Sequence, residues 1–382
     1  MPREKAVQRL LSSGAVQAFA FTRGILLVAT FLGLRLQPQL FKEPWRAFPD
    51  LLWFDGWARW DSVWYWTIVD EGYEFVPHQM SNVAFFPLYP LVVKACSFPA
   101  RLFLDPQRAF LLTGIVLSHV FFLVALIGLE RLASLLADRA TAQRTVWLTC
   151  SFPFALFYSA AYTESLFLAL AVWSTYLARR QYWGSATILA ATCAVSRTVG
   201  GVIVIALLIE YVRRHEWEGR ALLRGLILAA VGFAGLGLLL IYFWAHFGDP
   251  FVFAQAHSVP PWGRRLGLGH LSILVQDLFR PRMDVSLTSL WYLVLIPVCC
   301  LLAVHVTRRW GPAIAALTIG ILVPSLFTGA MSIGRLVSVI FPLFLSGAFM
   351  LRRSDVLRAV CAFFIAQQIL MSYWFAHWGN VF

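Results

Sequence analysis

The chain has 382 residues, of which 60% are hydrophobic and 13% charged, and its mean hydropathy is +0.72. That balance excludes a soluble globular domain and describes a polytopic membrane protein. The net charge of +12 does not point to nucleic acid, because Arg and Lys form no basic stripe and come as short clusters between apolar segments. The expectation is an all-α polytopic membrane protein, with residues 1–382 forming one domain. The six cysteines lie in apolar stretches without metal-ligand spacing and read as buried free thiols.

Residues 1–14 are basic and weakly amphipathic, and they run without a cleavage site into an apolar segment at 15–36. This reads as an uncleaved first membrane helix. Further apolar segments fall at about 86–104, 109–129, 145–159, 163–178, 184–195, 198–211, 222–246, 289–306, 312–328, 335–351 and 356–375. They give about 11–12 membrane segments, several shorter than the roughly 17–25 residues of a full crossing, so breaks or re-entrant stretches are expected. Clusters such as Arg131 with Arg139 and Arg144, Arg213 with Arg214, and Arg352 with Arg353 fit a cytoplasmic side. The opposite side then receives 37–85, 162–165, 196–200, about 245–288 and 328–335. Between 15–36 and Arg131 an odd number of crossings must lie, yet two apolar segments are there. Either 86–104 is re-entrant or one boundary is displaced.

The extracytoplasmic loop 37–85, with interfacial helices, holds most of the polar chemistry. Seven of nineteen carboxylates and six of sixteen tryptophans lie between residues 43 and 74. Trp53, Trp57, Trp60 and Trp64 repeat at four, three and four residues, which predicts an amphipathic helix with the indoles on one face at the lipid boundary. Asp55 and Arg59 read as a solvated i,i+4 pair on that helix. Asp61, set among Trp57, Trp60, Trp64 and Tyr65, reads as a partly dehydrated carboxylate, more basic than usual and suited to act as a general base.

Later in the chain, Glu164 in Tyr162-Thr163-Glu164-Ser165 is the only acid between Asp138 and Glu210. It reads equally as a functional group or as part of an interfacial helix cap. Arg197, in Ser196-Arg197-Thr198-Val199-Gly200, interrupts an apolar run, and Arg335, in Ser332-Ile333-Gly334-Arg335, stands at another helix start. Two such cations suit a phosphate-bearing lipid head group between helices. Snorkelling is the alternative for either Arg alone. His246 and His257, near Trp262, read as structural or substrate-contacting and not as metal ligands.

The ordered set of Trp60-Asp61, Trp64-Tyr65, Gly72-Tyr73, Phe85-Phe86-Pro87-Leu88-Tyr89-Pro90, Tyr162-Thr163-Glu164-Ser165, Arg197 with Gly200, Gly248-Asp249-Pro250 and Gly334-Arg335 to Phe341-Pro342 resembles the GPI mannosyltransferase 2 (PIG-V) family over about residues 55–345. Members of that family are similar to GT-C glycosyltransferases, so the resemblance implies a GT-C-like bundle. It also implies an inverting transfer of mannose, or a similar sugar, from a polyprenyl- or dolichyl-phosphate donor. By that resemblance Asp61 is the catalytic base, Arg335 and Arg197 hold the donor phosphate, and Glu164 orients an Arg or the acceptor. Trp60, Tyr65, Tyr73, Phe86, Tyr89, Tyr162, His257 and Trp262 join them as substrate contacts.

The loops are short for a GPI enzyme and no endoplasmic-reticulum retrieval signal is visible. A prokaryotic relative in a bacterial plasma membrane, acting extracytoplasmically on a cell-envelope glycan or glycolipid, is therefore expected. A lipid-phosphate leaving group needs less assistance than a nucleotide diphosphate, so no metal or other cofactor is expected. The expected partners are the bilayer, the lipid-linked donor and the acceptor, with no nucleic acid. The rival class is a lipid or sugar transporter, which would carry its acids inside the helices and show internal symmetry. Here the acids gather in one loop and no repeat is visible.

Overall fold

The computed structural model describes residues 13–37, 45–260, 262–263, 267, 279, 286–327, 332–379 and 381. The expectations for residues 1–12, and for most of 264–285 and 328–331, lie outside them. Among the described residues every regular element is helical. In chain order these are α1 (Gly14–Leu36), α2 (Leu52–Asp55), α3 (Asp61–Asp70), α4 (Leu88–Cys96), α5 (Pro106–Leu136), α6 (Arg139–Ser151), α7 (Glu164–Arg179) and α8 (Trp183–Ala194). Then come α9 (Gly201–Arg214), α10 (Gly219–Phe247), α11 (Val252–His257), α12 (Ser286–Arg309), α13 (Pro312–Phe327), α14 (Ile333–Ser338), α15 (Phe341–Met350) and α16 (Ser354–Ala376). Short 3₁₀ turns occupy Asn82–Ala84, Ala100–Leu102 and Pro153–Tyr158.

Local chemistry sets the boundaries. Ser13 caps α1 by accepting from the Ala15 amide, Asp105 caps α5 ahead of Pro106, and Asp138 caps α6 by accepting from the Thr141 amide at 2.8 Å. Hydrogen bonds from the Thr141 amide and hydroxyl hold the exposed Asp138 carboxyl below the usual carboxylate range. Gly248 ends α10 with φ +77°, the left-handed closure that glycine supplies most readily. Pro153 has no amide to donate, and there the apolar stretch 145–159 changes from α-helix to a 3₁₀ turn.

Among the described residues, five helices are long and apolar enough to span a membrane: α1, α5, α10, the Trp291–Arg309 part of α12, and α16. The shorter α8, α13 and α15 are also apolar, in line with the expectation that several segments are broken. The chain is a multi-pass membrane protein. Its α10 carries exposed Leu223, Ile227, Val231, Leu238 and Ile241, a lipid-facing surface. The stretch 86–104 holds α4 and the 3₁₀ turn Ala100–Leu102, and α4 has nine residues or about 14 Å against a hydrocarbon core of about 30 Å. It therefore drops out of the set of spanning helices. The cysteines depart from expectation in part: Cys150, Cys193, Cys299 and Cys361 are buried, whereas Cys96 and Cys300 are exposed.

The chain gathers into two compact units. The first comprises the described residues of Met1–Val63, Ala95–Val172 and Phe344–Val381, and the second those of Trp64–Lys94 and Trp173–Leu343. In the first, α1 packs against α5, α6 and α16. Its centre is the fully buried Arg23, which donates to the carbonyls of Cys150 and Ala155, to Ser159 Oγ and to Gln368 Oε1 at 2.8–3.1 Å. The same guanidinium lies 5.2 Å over the Phe122 ring, which stacks on Tyr158. In the second, α9 packs against α8, α10 and α13, and α12 packs on α13.

Candidate functional site

In the first unit the loop before α3 is folded inward, and the Trp repeat does not form one helical face. The helix α2 ends at Asp55, residues 56–60 turn, and Trp60 takes a left-handed backbone with φ +52° before α3 starts at Asp61. Trp57 is fully buried, while Trp53 is exposed and stacks on Phe31 at 4.1 Å. Asp55 and Arg59, expected as a solvated pair, are instead fully enclosed. Arg59 Nη2 meets Asp55 Oδ2 at 2.5 Å, Nη1 donates to the Asp55 carbonyl at 2.6 Å, and Nε donates to the Ala376 carbonyl at 3.0 Å. The Phe48 amide fills Asp55 Oδ1 at 2.9 Å, and the guanidinium lies 5.2 Å over the Trp378 ring. Burial pulls the Arg59 pKa down and the Asp55 charge opposes that shift.

This brace fixes Asp61. The Tyr162 hydroxyl donates to the Arg59 carbonyl and accepts from the Asp61 amide, each at 3.2 Å. The Ala161 amide donates to the Trp57 carbonyl at 3.0 Å, and Ser62 Oγ reaches the Ala161 carbonyl at 3.4 Å. The sequence reading placed Tyr162 among the substrate contacts. Its ring is completely enclosed between Phe157, stacked at 5.4 Å, and Phe375, edge-on at 5.8 Å. Asp61 itself is half-buried at the first position of α3, where the helix dipole favours a carboxylate. Glu164 takes the same first position in α7 but is fully buried. Ser165 does not cap that helix. Its hydroxyl turns back to the Tyr158 carbonyl at 3.1 Å.

In the second unit the predicted aromatics assemble into a continuous wall. Trp64, Phe85 and Trp262 pack mutually at 5.6–6.2 Å, and His257 stands 5.8 Å from Trp262, all four rings partly exposed. Behind them Tyr65 and Tyr89 are buried edge-to-face at 5.2 Å, and Phe86 packs on Phe253. Tyr73 donates to the Phe85 carbonyl at 2.8 Å, and burial pushes its phenol upward. The Asn82 side chain ties the loop together, accepting from the Glu74 amide and donating to the Gly72 carbonyl, each at 2.8 Å. Asn82 and Lys94, which donates to the Val69 carbonyl at 2.6 Å, were not singled out from sequence.

Both predicted Arg residues of this unit sit at breaks. Arg197 is half-buried in the turn between α8 and α9. The turn depends on Gly200, because a Cβ there would lie 2.0 Å from the Cys193 carbonyl oxygen. Arg335 is buried in the short α14, which follows Ser332 in the left-handed region and precedes the interruption before α15. Such cations on kinked backbone, inside apolar surroundings, are suited to an anionic group. Among the described residues no cluster of three or more His, Cys, Asp or Glu is arranged to hold a metal. Arg23 was also missed, although a lone Arg within the apolar stretch 15–36 is a signal in its own right.

A family model described as mannosyltransferase (PIG-V) matches residues 41–245, more than half of the chain. No curated protein matches. Two solved structures of the Archaeoglobus fulgidus oligosaccharyltransferase are similar at 12% identity. The complex with Zn and sulfate has a TM-score of 0.46 over 94% of this chain and 53% of that one. The apo form has a TM-score of 0.45 over 95% and 56%. The present chain thus spans about half the length of those proteins.

Proposed function

Because this chain belongs to the mannosyltransferase (PIG-V) family, and is therefore a glycosyltransferase, we propose that it is an inverting enzyme of the GT-C type. On this reading it moves mannose or a similar sugar from a polyprenyl-phosphate donor to a glycan or glycolipid acceptor on the extracytoplasmic side. The acceptor hydroxyl attacks the anomeric carbon, the bond from that carbon to the phosphate oxygen breaks, and the electron pair leaves with the lipid phosphate. The acceptor proton passes to the Asp61 carboxylate.

The observation that carries this reading is the contrast within one loop. Asp55 is enclosed and paired, while Asp61 keeps solvent access and has its backbone fixed by the Tyr162 hydroxyl. A general base needs that combination of a held backbone and a reachable carboxylate. Arg335 and Arg197 are assigned to the donor phosphate, whose charge grows as the bond breaks. The partly exposed rings of Trp64, Phe85, His257 and Trp262 offer faces on which a sugar can pack.

The test is transfer by the purified full chain in liposomes, with labelled polyprenyl-phosphate mannose or a labelled nucleotide sugar as donor and a membrane extract as acceptor source. The proposal expects product from the lipid-linked donor alone, undiminished by EDTA. Product from the nucleotide sugar alone, or turnover abolished by EDTA and restored by Mn²⁺, contradicts it.

A further inference from the structure

In the first unit, the residues that close α16 run against the turn that leads into Asp61. The Ala376 carbonyl accepts from Arg59 Nε at 3.0 Å, and the Trp378 ring lies 5.2 Å from the same guanidinium. Trp378 also stands edge-on to Trp60 at 5.4 Å and to Trp45 at 5.9 Å, and its Nε1 donates to the Trp45 carbonyl at 3.2 Å. The approach is close throughout. A Cβ on Gly56 would lie 2.9 Å from the Ala376 methyl, and one on Gly379 would lie 2.8 Å from the Trp374 carbonyl oxygen. Trp378 was not singled out from sequence.

Trp60 and Trp378 both take left-handed backbone, at φ +52° and +63°. A residue with a side chain is disfavoured there and persists only where its surroundings hold it. For the Trp60 main chain the hold is the Tyr162 hydroxyl, which links the Arg59 carbonyl to the Asp61 amide, the groups on either side. That clamp acts on the backbone and leaves the indole to be placed by packing. Trp378 supplies such packing, and its own ring is fixed by the Trp45 carbonyl and the Arg59 guanidinium. Trp60 is joined directly to Asp61, the first residue of α3, so a rotation of the Trp60 backbone redirects the carboxylate.

We propose that Trp378 is a positioning residue for sugar transfer: its indole holds Trp60 in the left-handed turn and so sets the direction of the Asp61 carboxylate. The inference rests on the reading of Asp61 as the base. The plain structural alternative is that Trp378 only covers the buried Asp55–Arg59 pair. Its loss would then lower stability and leave the kcat of the folded protein unchanged. Covering that pair requires neither the edge-on contact with Trp60 nor the left-handed backbone at Trp60, and both favour the positioning role.

Kinetics of the purified full chain in liposomes test it, with labelled polyprenyl-phosphate mannose as donor and a membrane extract as acceptor source. Trp378→Ala is expected to lower kcat about 10- to 100-fold and to leave KM for the donor within about twofold, the pattern of a misplaced catalytic group. Trp378→Phe keeps a ring against Trp60 and Arg59 and should return kcat to within about threefold of wild type. On an Asp61→Asn background, Trp378→Ala should cost less than about twofold more, because both changes act on one proton transfer. Unchanged kcat in Trp378→Ala, a shift in KM alone, or a full further loss on top of Asp61→Asn overturns the proposal. Where Trp378→Ala does not fold, Trp378→Leu, which fills much of the space without a ring, is read in its place. Asp61→Asn at the wild-type rate removes the base assignment itself. An impaired Asp61→Asn beside a normal Trp378→Ala removes the role of Trp378 alone.

Discussion

Each unit buries a carboxylate beside arginine, and the two solutions differ in their arithmetic. In the first, Asp55 and Arg59 pair one to one, and the remaining donors and acceptors go to Phe48, the Asp55 carbonyl and Ala376. In the second, Glu210 stands against Arg179, Arg213 and Arg214, two of them open to their surroundings. A closed pair locks a loop and has nothing left for a ligand. A surplus cluster keeps a net field that an anion can answer.

The largest test of this contrast is Arg59→Met. It strands a buried carboxylate, and the cost expected is about 3–5 kcal/mol, read as a fall in the thermal unfolding midpoint of the purified protein. A loss as small as that for an exposed pair would show that the brace is open. Next comes Tyr162→Phe, which removes the hydroxyl between the Arg59 carbonyl and the Asp61 amide. About 1–2 kcal/mol is at stake, so kcat should fall roughly tenfold with KM nearly unchanged. A change in KM alone would mean that Tyr162 acts on substrate and not on the placement of Asp61. The smallest effect is Arg213→Gln, where solvent screening of a one-third-exposed side chain leaves less than about 1 kcal/mol in unfolding. A loss comparable to Arg59→Met would erase the distinction between the two clusters.

Features that depend on composition and local breaks were legible in the sequence. Apolar length gave the membrane helices, and Ser196-Arg197 with Gly200, like Gly334-Arg335 before Pro342, marked interruptions that the structure contains. Trp64 and Phe85 stood in motifs of the family resemblance, whereas His257 and Trp262 were read only as neighbours in a loop, and the structure packs all four together. The error at 53–64 has a physical source. Trp spacing is a helical signal only while the helix continues, and burial of the Asp55–Arg59 pair against Ala376 and Trp378 turns the chain instead. That contact spans more than three hundred residues, and no local pattern announces it. The place of Tyr162 behind Asp61 was equally hidden, because it rests on a backbone amide and a backbone carbonyl. Arg23 was detectable as a charge within an apolar segment, but its four acceptors at Cys150, Ala155, Ser159 and Gln368 were not.

The most direct test of the catalytic assignment is Asp61→Asn, assayed for transfer from labelled polyprenyl-phosphate mannose alongside a separate donor-binding measurement. The account predicts that turnover falls by about 10²–10⁴, the usual contribution of a general base, while the variant still binds donor. Sugar transfer by the Asp61→Asn variant at the wild-type rate would contradict it.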